Sequence, residues 1–405
     1  MMKIGILRET KSPIDNRVAL SPRQIVELKH RYPHSEFVVQ PSPIRVFTDD
    51  EYRDLGISVE EDLSDCDVLF GIKEAQTDTL IPGKHYFFFG HVAKKQSYNR
   101  HLLQTMMAKG ITFSDYEYLV DDAGQRLCAF GWWAGVVGVY YTLQGYGMRK
   151  GTFTLPRPSL KFQLNDLKEA LLSVELPKLR ILVTGNGRVS HGAQYILDAI
   201  GAERLDADRF LDGLPVQRLS YCVAKTCDLV RRSDGNSYSH DDFLQHPECY
   251  QSDFMRWAQQ TDILVTCHFW TPGEPVYLTK EDLRKEMPLR TIGDVTCDIE
   301  GSIESTLRSS THDSPFYDYN PQTESEEPAF SSDSNILVMA VDTCPNALAH
   351  DASEYFGEML SQHVFAPLLE ESWKESAVIH RSTILSAGAL TSRFSYLEAF
   401  ARGEE

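Results

Sequence analysis

The chain lacks any apolar run long enough to cross a bilayer as a helix. Its most apolar segment, Leu127 to Leu143, is short and interrupted by glycines, whereas a span needs about 20 such residues; it reads as a buried helix. No Cys-x-x-Cys pair is present, and Cys66, Cys128, Cys222, Cys227, Cys249, Cys267, Cys297 and Cys344 are scattered along the chain. That pattern excludes zinc-finger spacing and a disulfide framework, so buried thiols and no metal are expected, with a single stray disulfide left open. The opening Met-Met-Lys-Ile-Gly-Ile-Leu lacks the basic and then apolar segments of a secretory leader, which points to the cytoplasm. Positive charge is also scarce: 40 Lys and Arg stand against 58 Asp and Glu, a formal charge of −18. A surface of that sign repels phosphate backbones and anionic lipid heads, so no nucleic-acid or membrane partner is expected. No internal repeat is visible, which sets aside a solenoid.

What is present is a repeated alternation of strand and helix. With 405 residues the chain exceeds one ordinary core, and two domains are expected. Apolar runs at Lys3-Ile-Gly-Ile-Leu, Phe37-Val-Val-Gln, Asp67-Val-Leu-Phe-Gly and His85-Tyr-Phe-Phe-Phe alternate with amphipathic stretches such as Pro22 to Arg31. This is the pattern of a mostly parallel sheet covered on both faces. A second alternation runs through Lys178-Leu-Arg-Ile-Leu-Val, Asp262-Ile-Leu-Val, Thr291-Ile-Gly-Asp-Val and Ile336-Leu-Val-Met. The polar stretch Ser309 to Ser334 reads as a solvated excursion, and the chain after it as helical to its end. The resulting expectation is α/β. Two Rossmann-like doubly wound domains flank a cleft, the first (1–140 plus 346–405) carrying substrate and catalysis and completed by C-terminal helices, the second (141–345) binding a dinucleotide.

The strongest local signal is Ile181-Leu-Val-Thr-Gly185-Asn-Gly187-Arg188-Val189-Ser190-His-Gly192, a strand entering a glycine turn and then a helix. Missing side chains let the backbone approach a pyrophosphate, and the helix N-terminus offers unpaired N–H groups. Ser190 stands where the fingerprint has its third glycine. About twenty residues past the turn, where an acid holds the ribose hydroxyls, lie Asp206 and Asp208; an acid there favours NAD, while Arg204 and Arg209 leave NADP open.

Upstream, polar groups stand at strand ends, where α/β sheets bind ligands. Arg17 follows the first strand, Lys73 and Glu74 follow Phe70-Gly-Ile, His91 and Lys94 follow Phe87-Phe-Phe-Gly, and Glu117 and Arg126 precede the apolar helix. Each alone has an ordinary reading as surface ion pair or turn cap; together they describe a cationic pocket for carboxylates. Trp132 and Trp133 read as core packing rather than as a substrate wall.

Arg126-Leu-Cys-Ala-Phe-Gly-Trp-Trp-Ala-Gly, Phe89-Gly-His91-Val-Ala-Lys-Lys-Gln96 and Asp294-Val-Thr-Cys-Asp298-Ile-Glu-Gly301-Ser-Ile-Glu304 resemble the saccharopine dehydrogenase and lysine-ketoglutarate reductase family, within the wider alanine dehydrogenase-like group. His268-Phe-Trp270, Val341-Asp342-Thr-Cys-Pro345 and Glu354-Tyr-Phe-Gly357 extend the likeness through most of the chain. The resemblance implies hydride exchange between a nicotinamide cofactor and saccharopine, interconverted with lysine and 2-oxoglutarate. It assigns Lys73 and His91 as acid and base, Glu74 and Glu117 as their neighbours, and Arg17, Lys94 and Arg126 to substrate carboxylates. It places Gly185, Gly187, Arg188, Val189, Asp206, Asp298 and Asp342 around the cofactor. The alternatives are alanine dehydrogenase or another small amino-acid dehydrogenase, and a non-catalytic cofactor or amino-acid sensor. A monomer or small homo-oligomer is expected.

Overall fold

The computed structural model describes residues 2–370, 372 and 375–404. The chain divides into two compact units, Met1–Phe130 with Ala349–Glu405, and Gly131–Leu348. The division falls at the first residue of the helix Gly131–Lys150 rather than at 140, because that helix is continuous. It packs along the helix Arg188–Ala199 within the second unit.

In chain order the strands are β1 (Lys3–Ile6), β2 (Glu36–Val39), β3 (Ser58–Val59), β4 (Val68–Phe70), β5 (His85–Phe88), β6 (Thr112–Asp115), β7 (Arg180–Thr184), β8 (Glu203–Arg204) and β9 (Ser220–Ala224). They continue as β10 (Val230–Arg232), β11 (Tyr250–Ser252), β12 (Ile263–Thr266), β13 (Thr291–Asp294), β14 (Phe316–Asn320), β15 (Ser325–Glu327), β16 (Ile336–Met339), β17 (Thr383–Ser386) and β18 (Ala389–Leu390).

The first unit holds an eight-stranded sheet in the order β18-β17-β6-β5-β4-β1-β2-β3, parallel from β6 to β3. Strands β1, β4 and β5 are buried along nearly their whole length, which is why they read as continuous apolar runs. The chain winds from β1 outward to β3 and then restarts at β4 on the other side of β1. The carboxyl ends of β1 and β4 therefore flank a switch point, where open α/β sheets seat ligands.

The second unit has the order β15-β14-β16-β13-β12-β7-β9-β8, parallel from β16 to β8. Its switch point lies between β7 and β12. The helices Gly131–Lys150 and Arg188–Ala199 meet through backbone: a Cβ on Gly135 would lie 1.9 Å from the Val189 carbonyl oxygen, and one on Gly192 1.9 Å from that of Trp132. Trp133 is buried and Trp132 packs on Tyr195 at 4.9 Å between ring centroids, so the pair serves packing as expected.

Two expectations are corrected. Residues 309–334 are not wholly a solvated excursion, since β14 is a buried antiparallel strand beside β16. Its aromatics Phe316, Tyr317 and Tyr319 are core, and the buried Asp318 pairs with Arg149, an internal neutralisation that the polar composition of the segment conceals. Nor is the C-terminal segment helical throughout: β17 pairs antiparallel with β6 and turns back into β18. The two-residue turn has φ of +47° at Ala387 and +83° at Gly388, the left-handed pair that suits a hairpin. All eight cysteines are free thiols.

Candidate active site

In the first unit the predicted residues converge on the carboxyl edge of the sheet. Lys73 and Glu74 follow β4, His91 follows β5, and Glu117 follows β6. His91 has φ +51°, a left-handed turn fixed by Asp115, whose Oδ2 accepts the N–H groups of Gly90 (3.1 Å) and His91 (3.2 Å). The His91 Nδ1 lies 2.8 Å from Glu74 Oε1, and Glu74 Oε2 accepts from Lys11 Nζ at 2.5 Å. Burial alone would raise the Glu74 carboxyl, but the hydrogen bonds from His91 and Lys11 outweigh it and hold it down at about 2. An ionised Glu74 only accepts, so the His91 proton sits on Nδ1 and the lone pair of the neutral ring on Nε2.

Glu117, 7 % exposed at its side chain, accepts from Lys94 Nζ and Arg126 Nη2 at 3.1 Å each through one oxygen, Oε1. Burial raises its carboxyl, and Arg126 and Lys94 more than reverse this, leaving it below the usual range. Both cations are about half exposed. Arg17 is placed differently. It is 5 % exposed, bound to Asp15 by two side-chain contacts of 2.9 and 2.5 Å, and stacked 4.2 Å above the Phe130 ring. Paired in this way it carries no net charge to the substrate, which departs from the expected role as a carboxylate-binding residue.

Sequence reading passed over Glu9, Lys11, Asp15 and Asp115. Glu9 accepts the backbone N–H groups of Ile72 at 2.7 Å and Lys73 at 2.9 Å, and burial beside Asp15 pushes its carboxyl up to about 8. The available signal was the charge cluster Arg8-Glu9-Thr10-Lys11 directly after β1, in the same position relative to its strand as Lys73.

In the second unit, Gly185 ends β7 with φ +83°, and a Cβ there would stand 2.8 Å from Cys267 O. Gly187 is the N-cap of the helix Arg188–Ala199, and a Cβ on it would meet nothing within 4 Å. The turn thus has a glycine required by the fold and a second that keeps space open above a twelve-residue helix terminus. That space is a cavity of about 410 Å³ lined by Gly185 to Val189 on one side and Thr226, Tyr238, His240, Phe243 and Leu244 on another. These features fit a dinucleotide's pyrophosphate.

The strand order departs from the fingerprint's assumption. Strand β8, carrying Arg204 and leading to Asp206, lies at the sheet edge; β9 is inserted between it and β7. Asp206 caps the short helix Ala207–Leu211 through Arg209 N at 2.8 Å and lines a separate cavity of about 450 Å³ with Arg204, Cys222 and Val223. The residue at the carboxyl end of the strand beside the glycine turn is the exposed Lys225. Asp298 is half-buried in the loop after β13 and Asp342 is exposed after β16. The Asp298 loop is anchored by Asp294, which accepts from Thr266, Thr296 and Thr306 hydroxyls at 2.5 to 2.6 Å. His268 bridges Thr184 (2.6 Å) and Ser302 (2.8 Å), tying the same loop to β7, and burial depresses its imidazole to about 3, so it is neutral. Among the described residues no cluster of His, Cys, Asp and Glu could hold a metal, and no helix is long and apolar enough to cross a membrane.

Residues 5–137 match the family model described as alanine dehydrogenase/PNT, N-terminal domain. Over 97 % of its length the chain is 34 % identical to a protein of Arabidopsis thaliana named alpha-aminoadipic semialdehyde synthase, of which it covers 41 %. Over 90 % of its length it is 26 % identical to a Candida glabrata protein named saccharopine dehydrogenase (NAD(+), L-lysine-forming), of which it covers 90 %. Among solved structures an L-alanine dehydrogenase superposes with a TM-score of 0.68 at 17 % identity, covering 100 % of both chains, a likeness of fold. The chain spans less than half of the semialdehyde synthase relative.

Proposed function

Because the chain is a homologue of the saccharopine dehydrogenases and alpha-aminoadipic semialdehyde synthases within the alanine dehydrogenase-like superfamily, we propose that it interconverts saccharopine with lysine and 2-oxoglutarate. The observation that carries the reading is the His91–Glu74–Lys11 chain beside Lys73 at the carboxyl ends of β4 and β5, with Lys94 and Arg126 held by Glu117. The chemistry that a nicotinamide dinucleotide would supply when bound is hydride exchange with the substrate carbon attached to nitrogen. In the lysine-forming direction the secondary amine gives up a proton and the carbon a hydride, leaving a C=N bond. Water adds to that bond, and the C–N bond breaks to give the amine of lysine and the ketone of 2-oxoglutarate. The two proton transfers, from the amine and from the water, fall to Lys73 and to the basic Nε2 of His91, oriented by Glu74. Lys94 and Arg126 pair with substrate carboxylates, whereas Arg17 is already engaged by Asp15.

Gly185, Gly187, Arg188 and Val189 would hold the pyrophosphate, and the loops carrying Asp298 and Asp342 would border the remainder of the cofactor. Lys225, rather than an acid, ends the strand next to the glycine turn, and a cation there pairs with a 2′-phosphate. The cofactor is accordingly NADP(H) in preference to the NAD(H) expected from Asp206, which stands one strand further out.

The test is absorbance of the reduced nicotinamide with lysine plus 2-oxoglutarate, and separately with ammonia plus pyruvate, each with NADPH and NADH. Oxidation of NADPH that needs both lysine and 2-oxoglutarate is expected. Turnover only with ammonia and pyruvate would replace the reading with a small amino-acid dehydrogenase.

A further inference from the structure

Between β9 and β12 the chain does not cross over by a simple helix. Residues 225–252 fold into a separate two-stranded ribbon, β10 with β11, and the short helix His240–Gln245. This excursion is rooted in the core of the second unit, to which Phe243 and Tyr250 belong and against which Tyr238 packs. Phe243 and Tyr250 are 3 % and 5 % exposed, with rings 5.2 Å apart and nearly perpendicular, and Tyr238 lies against both at 5.8 and 5.7 Å. Arg232 joins Asp234 and Asp242 and lies over the Tyr250 ring at 5.5 Å, locking the turn to the helix. Ser239 caps that helix. The excursion is therefore a rigid element, and the face it turns to Gly185–Val189 consists of Thr226, Tyr238, His240, Phe243 and Leu244.

The composition of that face identifies what it covers. Leu244 is 60 % exposed although its neighbour Phe243 is buried in the core of the unit, and it stands at the cavity beside the half-buried Tyr238 ring. An apolar side chain and an aromatic ring bordering one cavity suit a flat, uncharged heterocycle. The excursion follows β9, on the side of β7 away from β12, which is the side where a dinucleotide's adenosine ribose lies relative to the glycine turn.

We propose that residues 225–252 are a fixed wall of the dinucleotide site that packs on the adenosine half of the cofactor, with Tyr238 and Leu244 as its contact residues. The wall determines dinucleotide affinity without touching the reacting atoms. It rests on the cofactor reading above, and the experiment separates the two.

The full chain, its Leu244→Ser variant and its Tyr238→Ala variant are titrated by calorimetry with NADPH and with adenosine 2′,5′-bisphosphate. Leu244 is exposed, so its replacement leaves folding nearly unchanged. Both variants are expected to bind NADPH and the adenosine fragment about tenfold more weakly, in parallel. Unchanged affinity in both variants, or weakening for NADPH but not for the fragment, overturns the wall while leaving the cofactor reading intact. Failure of the unaltered chain to bind NADPH and NADH alike overturns both.

Discussion

The Oε2 of Glu9 accepts the backbone N–H of Lys73 at 2.9 Å while its other oxygen accepts that of Ile72. A carboxyl group from the end of β1 thus fixes the two peptide units from which the Lys73 side chain departs. It does so across the switch point, while on the other side the Ile72 carbonyl accepts from Phe89 N at 3.0 Å. The same group lies beside Asp15, whose charge is already balanced by Arg17. Glu9 is consequently the carboxyl that retains a proton.

Stability should respond to pH in two opposite ways through these carboxyls. Glu74 is held at about 2 against an ordinary 4.5. Its contribution, about 3 kcal/mol by linkage, is complete above about pH 5 and lost as pH falls towards 2. Glu9 is raised from 4.5 to about 8, so the folded state binds the extra proton and stability declines as pH rises between those values. Glu9→Gln, neutral at every pH, carries a fixed cost for the one backbone N–H that its amide nitrogen cannot accept, and should gain on the parent chain progressively in thermal melts from pH 4 to pH 8. A constant difference across that range would refute the assignment.

Lys73→Met and His91→Gln should each lower turnover with lysine and 2-oxoglutarate by at least about tenfold, within the range that general acid–base groups supply. If both variants keep their rate, proton transfer lies with other groups.

Gly187→Ala separates folding from cofactor binding. Its φ of −91° is open to alanine and a Cβ meets nothing within 4 Å, so the melting temperature should stay within a degree or two. The methyl group would occupy the space above the turn and weaken dinucleotide affinity by about tenfold or more. Retained affinity in a fluorescence titration would place the pyrophosphate elsewhere.

Gly135→Ala should act in the reverse manner. Its Cβ would fall 1.9 Å from the Val189 carbonyl, and two helix backbones must separate to admit it. A loss of about 1–3 kcal/mol is expected from such overpacking, read as a fall in melting temperature and denaturant midpoint.

If the proposed NADP(H) preference holds, Lys225→Glu should weaken NADPH binding by about tenfold and leave NADH unchanged or improved, since it exchanges a cation suited to a 2′-phosphate for an acid suited to ribose hydroxyls. Equal losses for both dinucleotides would count against a phosphate contact.

Much of this architecture was legible because buried parallel strands declare themselves as uninterrupted apolar runs. Strands β1, β4, β7, β12 and β16 do so, whereas β13, Thr-Ile-Gly-Asp, is equally buried without being apolar throughout. The polar residues at their carboxyl ends then marked Lys73, His91 and the glycine turn without reference to any contact. The antiparallel additions were not legible. Strand β14 hides its aromatics among acids, one of which, Asp318, is neutralised by Arg149 from a distant helix. The turn of the β17–β18 hairpin is built on Ala387, a residue whose helical preference points the other way. The strand order around Asp206 was not legible for a topological reason: spacing from the glycine turn identifies the next strand in sequence, β8, and here the next strand in space is β9. Asp115 was missed because a carboxylate that holds backbone amides has no spacing signature, and Glu9 because its place after β1, matching that of Lys73 after β4, looks like an ordinary surface charge cluster.

The shortness of the outermost strands also bears on how copies of the chain can meet. Strands β3, β8 and β18 have two residues each and β15 has three, Ser-Glu-Glu. Each eight-stranded sheet therefore tapers to borders too brief, and at β15 too negatively charged, to serve as a good template for another strand. Growth by continuous sheet, the usual route to fibrils, is disfavoured at these four borders. Association through the two large sheets is thereby directed to side-chain surfaces.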